Sequence, residues 1–330
     1  MSSRSKSWSA RMRSCGWPAT CASTRAPIEG RKMRISGALL LMALVFGSAA
    51  AQRPEQEPII RLEAPLVLLN VTVTGGDGRY VSKLSERDFT ILEDGRPQPI
   101  AHFSAEETPF AVAILLDVSG SMERMLRIAR AAARGFVQGL RESDVFALYA
   151  FATQFAQIQP FGAYPEIEPE VWSLKAEGYT ALYDCLVRAA RDLAERPEKR
   201  RAILLLSDGA DTTSRASLDD ALREALAANV TIYAVDLMDE ASASAADVAR
   251  ARMALRTLSE QTGGRYIRDP GGAQMYATFQ AIVQELGHQY TLGYYPTWER
   301  RDGRWRRIEV RVARTGVTVR TRRGYYAPRS

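Results

Sequence analysis

Residues 111–122 read Ala-Val-Ala-Ile-Leu-Leu-Asp-Val-Ser-Gly-Ser-Met, an unbroken apolar run that ends on Asp117 and then offers Ser119 and Ser121 at alternate positions. Six apolar residues closed by a carboxylate predict a buried parallel strand meeting the loop at its carboxyl end. That loop gathers one acid and two hydroxyls, and Gly120 is expected to let the chain turn tightly between the serines. All of these donors are hard oxygens, which suit Mg²⁺ or a similar cation, whereas zinc favours nitrogen and sulfur.

Two later stretches extend the pattern. Gly178-Tyr179-Thr180-Ala181-Leu182 places a threonine at the start of a helical run, and Ile203–Gly209 (ILLLSDG) is a second buried strand that ends in Asp208-Gly209. In a doubly wound sheet of order 3-2-1-4-5-6, the first and fourth strands are neighbours, and the crevice at their carboxyl ends is the ligand site. Asp117 ends the first strand and Asp208 follows the fourth. Two carboxylates across that crevice repel, raising one pKa, unless a cation lies between them. The bland alternative makes Asp117 and Asp208 loop-starting acids and Ser119 and Ser121 helix caps. Three motifs in one order weigh against it.

The run Asp117-x-Ser119-x-Ser121, followed by Thr180 and Asp208, resembles the metal-ion-dependent adhesion site of von Willebrand factor A (VWA) domains. The resemblance implies that Ser119 and Ser121 bind the ion directly, Thr180 directly or through water, and Asp117 and Asp208 mostly through water. It implies Mg²⁺ (or Mn²⁺ or Ca²⁺), with an open position that a partner protein's Asp or Glu fills. The function so implied is a non-enzymatic, metal-dependent adhesion or assembly module of the cell envelope or exterior. All five positions match the family pattern, and Asp211 lies outside it as a loop acid or helix-start residue. The stretches DFTILEDGRPQPI (88–100), YTLGYYP (290–296) and RRGYYAP (322–328) are also similar to a group of secreted bacterial VWA-related proteins known chiefly from acidobacteria.

An enzymatic alternative is a Mg²⁺-dependent phosphotransferase or phosphatase of the haloacid-dehalogenase type, with Asp117 as nucleophile and Ser207–Asp211 holding the metal. Those phosphatases place a second Asp, the general acid, where this chain has Ser119, which leaves proton delivery without a source. A protease or esterase fits less well. His102 and His288 lie away from the crevice loops and there is no Gly-x-Ser-x-Gly elbow. Cys185 falls mid-helix among apolar neighbours and reads as a core thiol.

The net charge of +6 is concentrated at the start of the chain. Residues 1–51 hold eight Lys/Arg against Glu29, a net of +7, which leaves −1 for residues 52–330. That balance excludes a globally basic, nucleic-acid-binding protein. From Met33, Met-Arg precedes ISGALLLMALVF and then Gly-Ser-Ala-Ala-Ala, the layout of a secretory signal cleaved near Ala51. An uncleaved anchor is the alternative to a secreted or periplasmic product. Residues 1–32 read as a mis-assigned start or an unstructured leader.

The expected organisation is a linker at 52–64, a first β segment at 65–107, a doubly wound, mostly parallel α/β domain at 108–288 and a second β segment at 289–330. The two β segments are expected to pair into one small sandwich interrupted by the α/β unit, since isolated hairpins are rarely stable. Val67, Leu69, Val71 and Val73 alternate with Leu68, Asn70, Thr72 and Thr74, predicting a half-buried strand. Helical spacing is expected over 122–140, 182–194, 218–227, 245–261 and 273–286. Residues 299–330 carry eleven arginines, which suggests weak contact with anionic envelope polymers. The simpler reading is a solvated face opposite Ile308, Val310 and Val312.

Overall fold

The computed structural model describes residues 66–329 except 242, 269–270 and 298–301, so the expectations for the leader, export segment and linker lie outside the described residues. The opening run forms β5 (Phe110–Asp117), buried at every residue. Its two faces serve two cores. Phe110, Val112, Ile114 and Leu116 pack with α1 (Leu126–Val137) and α5 (Gly271–Gly287). Ala111, Ala113 and Leu115 pack with α2 (Leu182–Ala194), α3 (Leu218–Ala227) and α4 (Ala245–Thr262). Helices on both sides explain why the strand is a continuous apolar run rather than an alternating one.

The other strands of this sheet are β6 (Val145–Phe151), β7 (Phe155–Gly162), β8 (Arg200–Ser207), β9 (Val230–Asp236) and β10 (Tyr266–Arg268). Their order is β10-β9-β8-β5-β6-β7, with all pairs parallel except β6–β7. Counted within this unit, that is the order 3-2-1-4-5-6. β5 and β8 are neighbours, with Leu116 opposite Leu206, so the loops after them open side by side.

The remaining strands make two four-stranded sheets. One has the order β13 (Val317–Arg320), β1 (Val67–Gly75), β11 (Tyr290–Tyr294), β4 (His102–Ser104). The other runs β14 (Gly324–Tyr326), β12 (Trp305–Val312), β2 (Phe89–Glu93), β3 (Arg96–Gln98). Each sheet mixes strands from both ends of the chain, with Leu69 opposite Leu292 and Ile91 opposite Val310. Their inner faces share one core of Leu69, Val71, Ile91, Leu292, Tyr294 and Val310.

Two local readings differ from expectation. β1 is buried on both faces, because Asn70 and Thr72 are covered as well. Thr72 joins a buried polar cluster in which Glu285 of α5 accepts the hydroxyls of Thr72 (3.4 Å) and Tyr233 (2.7 Å). α1 is shorter than the apolar spacing over 122–140. Its approach is a 3-10 turn with Met122 N–H bonded to Ser119 O, and its exit tightens the same way, with Leu140 N–H bonded to Val137 O. Arg200, at the start of β8, is wholly buried. It donates to Glu106 O (2.7 Å), Leu286 O (3.2 Å), Gly287 O (2.9 Å) and Gln289 O, tying both chain crossings between the sheets to the α/β unit. Two of those carbonyls close the C-terminus of α5, where a cation is favoured.

Candidate metal centre

Asp117 closes β5 with no solvent exposure. One carboxylate oxygen accepts the Ser119 N–H at 2.9 Å and the other accepts the Ser207 hydroxyl at 2.6 Å. Ser207 ends the adjacent β8, and its Oγ accepts the Gly209 N–H at 2.9 Å. Ser207 figured in the sequence only in the phosphatase alternative; its bond to Asp117 had no signal beyond a hydroxyl at a strand end directly before Asp208. Burial, and then the facing Asp208, push the Asp117 pKa up to about 7 in spite of these hydrogen bonds. Asp208 is itself buried, with Oδ1 accepting the Ala210 N–H at 3.0 Å.

Ser119 is buried and Ser121 exposed, with their hydroxyl oxygens 3.2 Å apart. Ser119 holds the N-cap position of the turn Gly120–Met122 but makes no side-chain capping bond, and the residue capping α1 is Met125. Helix capping therefore does not account for these hydroxyls. Thr180 is buried just ahead of α2, and its backbone anchors the loop that follows Asp208. Its carbonyl accepts the N–H of Thr212 (2.9 Å) and Thr213 (3.1 Å), and its own N–H meets the Thr212 hydroxyl at 2.9 Å. The loop after β5 is joined to the same segment by Gly120 N–H to Gly178 O (3.1 Å) and Glu177 N–H to Val118 O (2.9 Å). Asp117, Ser119 and Ser121 thus stand on one loop, Thr180 on a second and Asp208 on a third, all three hydrogen-bonded at one end of the sheet.

The glycine that this arrangement requires is not Gly120, which has no positive φ and whose added Cβ would meet only Gly178 O at 3.5 Å. Gly178 (φ +82°) does the turning, and a Cβ there would stand 2.7 Å from the Thr153 hydroxyl.

A neighbouring acid shows what this site lacks. Asp236 ends β9, is equally buried, and accepts Arg252 Nε at 2.9 Å, the Tyr266 hydroxyl at 2.6 Å and the Met238 N–H at 2.9 Å. Among the described residues, no lysine or arginine pairs with Asp117 or Asp208. A buried carboxylate without a counter-charge is costly. Oxygen-only donors with surplus negative charge and no internal cation fit a hard divalent ion.

The segment that carries this geometry, residues 112–210, matches the family model of the von Willebrand factor type A domain. The chain carries a von Willebrand factor type A domain. It is similar to the von Willebrand factor type A protein from Catenulispora acidiphila at 13% identity, over 78% of this chain and 73% of that one, with a TM-score of 0.44. It is also similar to the PilB minor pilin from Streptococcus sanguinis (16% identity, 59% of this chain, 64% of that chain, TM-score 0.43). A third likeness is to the vWF domain of the type V pili tip protein Mfa5 from Porphyromonas gingivalis (15% identity, 54% and 95% coverage, TM-score 0.43). The chain spans less than two thirds of the pilin chain that it matches. No curated protein matches the sequence.

Other residues singled out in the sequence take structural roles around the VWA domain. Asp211 accepts the Tyr183 N–H at 3.3 Å and the Ser214 hydroxyl at 2.5 Å, serving the start of α2. Cys185 is buried, and burial raises its thiol pKa well above the ordinary value. His288 follows α5, bonded to Gln284 O at 2.7 Å and stacked on Tyr80 at 5.7 Å. Several arginines of the closing segment have internal partners: Arg306 with Asp302 (2.9 Å), Arg311 with Glu309 (2.6 Å) and Arg323 with Glu260 (2.8 Å). Trp305 packs edge-on against Tyr326 at 5.0 Å.

Proposed function

We propose that this protein is a metal-dependent binding module in which Asp117, Ser119, Ser121, Thr180 and Asp208 hold Mg²⁺, or Mn²⁺ or Ca²⁺ in its place. An Asp or Glu side chain of a partner protein completes the coordination. Domains of this family are typically non-enzymatic adhesion modules. The observation that carries the reading is the contrast between Asp236, which has Arg252, and the buried Asp117, which faces Asp208 with no cation beside it among the described residues. Bound there, the ion would supply the missing positive charge, and hydroxyl ligands would leave it electrophilic toward an incoming carboxylate. Tyr179, beside Thr180 and 67% exposed, stands on the rim as a contact for that partner. Exposed aromatics of this kind are enriched at interface centres.

The phosphatase alternative gains nothing from the geometry. Asp117 is inaccessible and accepts two hydrogen bonds, and residue 119 brings a hydroxyl where a general acid is needed. Export to the envelope or exterior rests on residues 33–51, and among the described residues no helix is long and apolar enough to cross a membrane. Affinity capture from envelope extract, with and without chelator, tests the function. A partner retained by wild-type protein in Mg²⁺, and lost with chelator or with Ser119→Ala, supports it. Retention indifferent to both would refute it.

A further inference from the structure

The closing segment carries a cation that the fold does not neutralise. Arg322, between β13 and β14, is only 8% exposed. Its Nη1 donates to Leu226 O of α3 at 3.0 Å, and its guanidinium carbon stands 5.8 Å from the Tyr325 ring centroid. Nε is buried with no hydrogen-bond partner, and among the described residues no carboxylate forms an ion pair with Arg322. The buried acid of β2, Glu93, instead accepts the hydroxyls of Tyr294 (2.6 Å) and Tyr325 (3.1 Å). Burial lowers the Arg322 pKa to about 10, so the group stays charged at neutral pH. Arg200, the other deeply buried arginine, is surrounded by carbonyl acceptors; Arg322 has one. A buried, unpaired charge of this kind is unfavourable unless something compensates it.

Arg322 lines a cavity of about 310 Å³ between the start of β1, the last turn of α3 and β14. The walls are mostly apolar or aromatic: Leu66, Val67, Leu226, Tyr325, Tyr326 and Pro328. A second guanidinium at the rim, Arg223, lies 3.7 Å from the Tyr326 ring centroid and is held by Asp219 at 3.2 Å. Apolar walls around a few convergent polar groups, at a volume near the lower end of the ~300–1,000 Å³ range, describe a small-molecule site. We propose that this cavity binds a small carboxylate on a compact apolar or aromatic body, with Arg322 pairing the carboxylate and Leu226, Tyr325 and Tyr326 covering the body. A planar guanidinium matches a carboxylate well, and mainly apolar walls favour a monoanion with a hydrophobic body over an inorganic anion. The site shares no residue with the metal centre, so it stands or falls independently of it.

The test is an NMR-monitored titration of the full chain with 3-phenylpropionate and, separately, with its neutral amide. A single-anchor probe of this size should bind with a Kd on the order of 1 mM, and loss of its charge should weaken it about tenfold. Arg322→Gln should weaken the acid by a similar factor. Ala227→Phe, at an exposed helix position that lines the cavity, should block it without touching the core. Chelator should leave binding unchanged. Acid and amide binding alike, undiminished binding in a folded Ala227→Phe variant, or no binding up to about 10 mM would each overturn the proposal.

Discussion

Replacing Asp117 with asparagine removes a buried charge at almost constant shape, and its effect on the metal-free protein can be worked out from the site. Asn keeps an oxygen for the Ser119 N–H, and its amide can donate to Ser207 Oγ where the carboxylate accepted. The Asp117 pKa stands at about 7, against 3.8 for the ordinary carboxyl. The folded state therefore holds this proton more tightly than the unfolded state. Its stabilising effect is full below the unfolded value and is lost as pH rises through the folded one. About three pKa units at 1.36 kcal/mol each give a penalty of about 4 kcal/mol by pH 8, of which about 1–2 is already present at pH 5. In chelator, urea denaturation should show Asp117→Asn more stable than wild type at pH 8 by about 3–4 kcal/mol, the gap narrowing to about 1–2 at pH 5. Saturating Mg²⁺ should stabilise wild type, by about 2.7 kcal/mol at a hundredfold excess over Kd, and the variant far less. Identical pH slopes for the two proteins in chelator would show that Asp117 bears no strained charge and would refute the reasoning.

Other outcomes follow from the packing and the chain ends. Arg200→Met should cost about 3–5 kcal/mol in urea denaturation, because it leaves the carbonyls of Leu286, Gly287 and Gln289 buried without their donor and frees the part-buried carbonyl of Glu106; a cost below about 1 kcal/mol would contradict that role. Deleting residues 289–330 removes β11 and β13 from β1 and β12 from β2, so hydrogen exchange should find 67–75 and 89–93 unprotected. Unchanged protection there would mean that these strands are stable without their partners. Mass spectrometry of the exported protein should find a new N-terminus near Gln52, and a product retaining residues 35–46 would mean an anchor instead.

The α/β architecture was legible because its central strands are buried on both sides. β5 and β8 read as apolar runs, and α2 and α3 fall on the residues that their periodicity picks out. The strand-end acids and hydroxyls were legible as local patterns, and the sheet order sets the β5 and β8 loops side by side. Long-range burial was not legible. Alternation in β1 marks one apolar face but cannot show that α5 covers the polar one through Glu285. Nothing local distinguishes Arg200 or Arg322 from solvated arginines, since their burial depends on carbonyls far along the chain. The bond from Ser207 to Asp117 was not legible for a related reason: the two residues are 90 apart, across a strand pair. Gly120 was given a turning role that belongs to Gly178, because φ is fixed by the loop's contacts rather than by the motif.

The central claim is that the buried pair Asp117 and Asp208, with the hydroxyls of Ser119, Ser121 and Thr180, is a divalent-metal site. Calorimetric titration of Mg²⁺ and Mn²⁺ into chelator-treated protein at pH 8 tests it most directly, with Ser119→Ala and Asp208→Ala beside wild type and circular dichroism to confirm that each is folded. Wild type should take up one ion per chain, and each variant should bind at least about tenfold more weakly, the equivalent of 1.4 kcal/mol or more. Wild-type protein that takes up no ion even with a carboxylate ligand present, or variants that bind as wild type does, would contradict the claim.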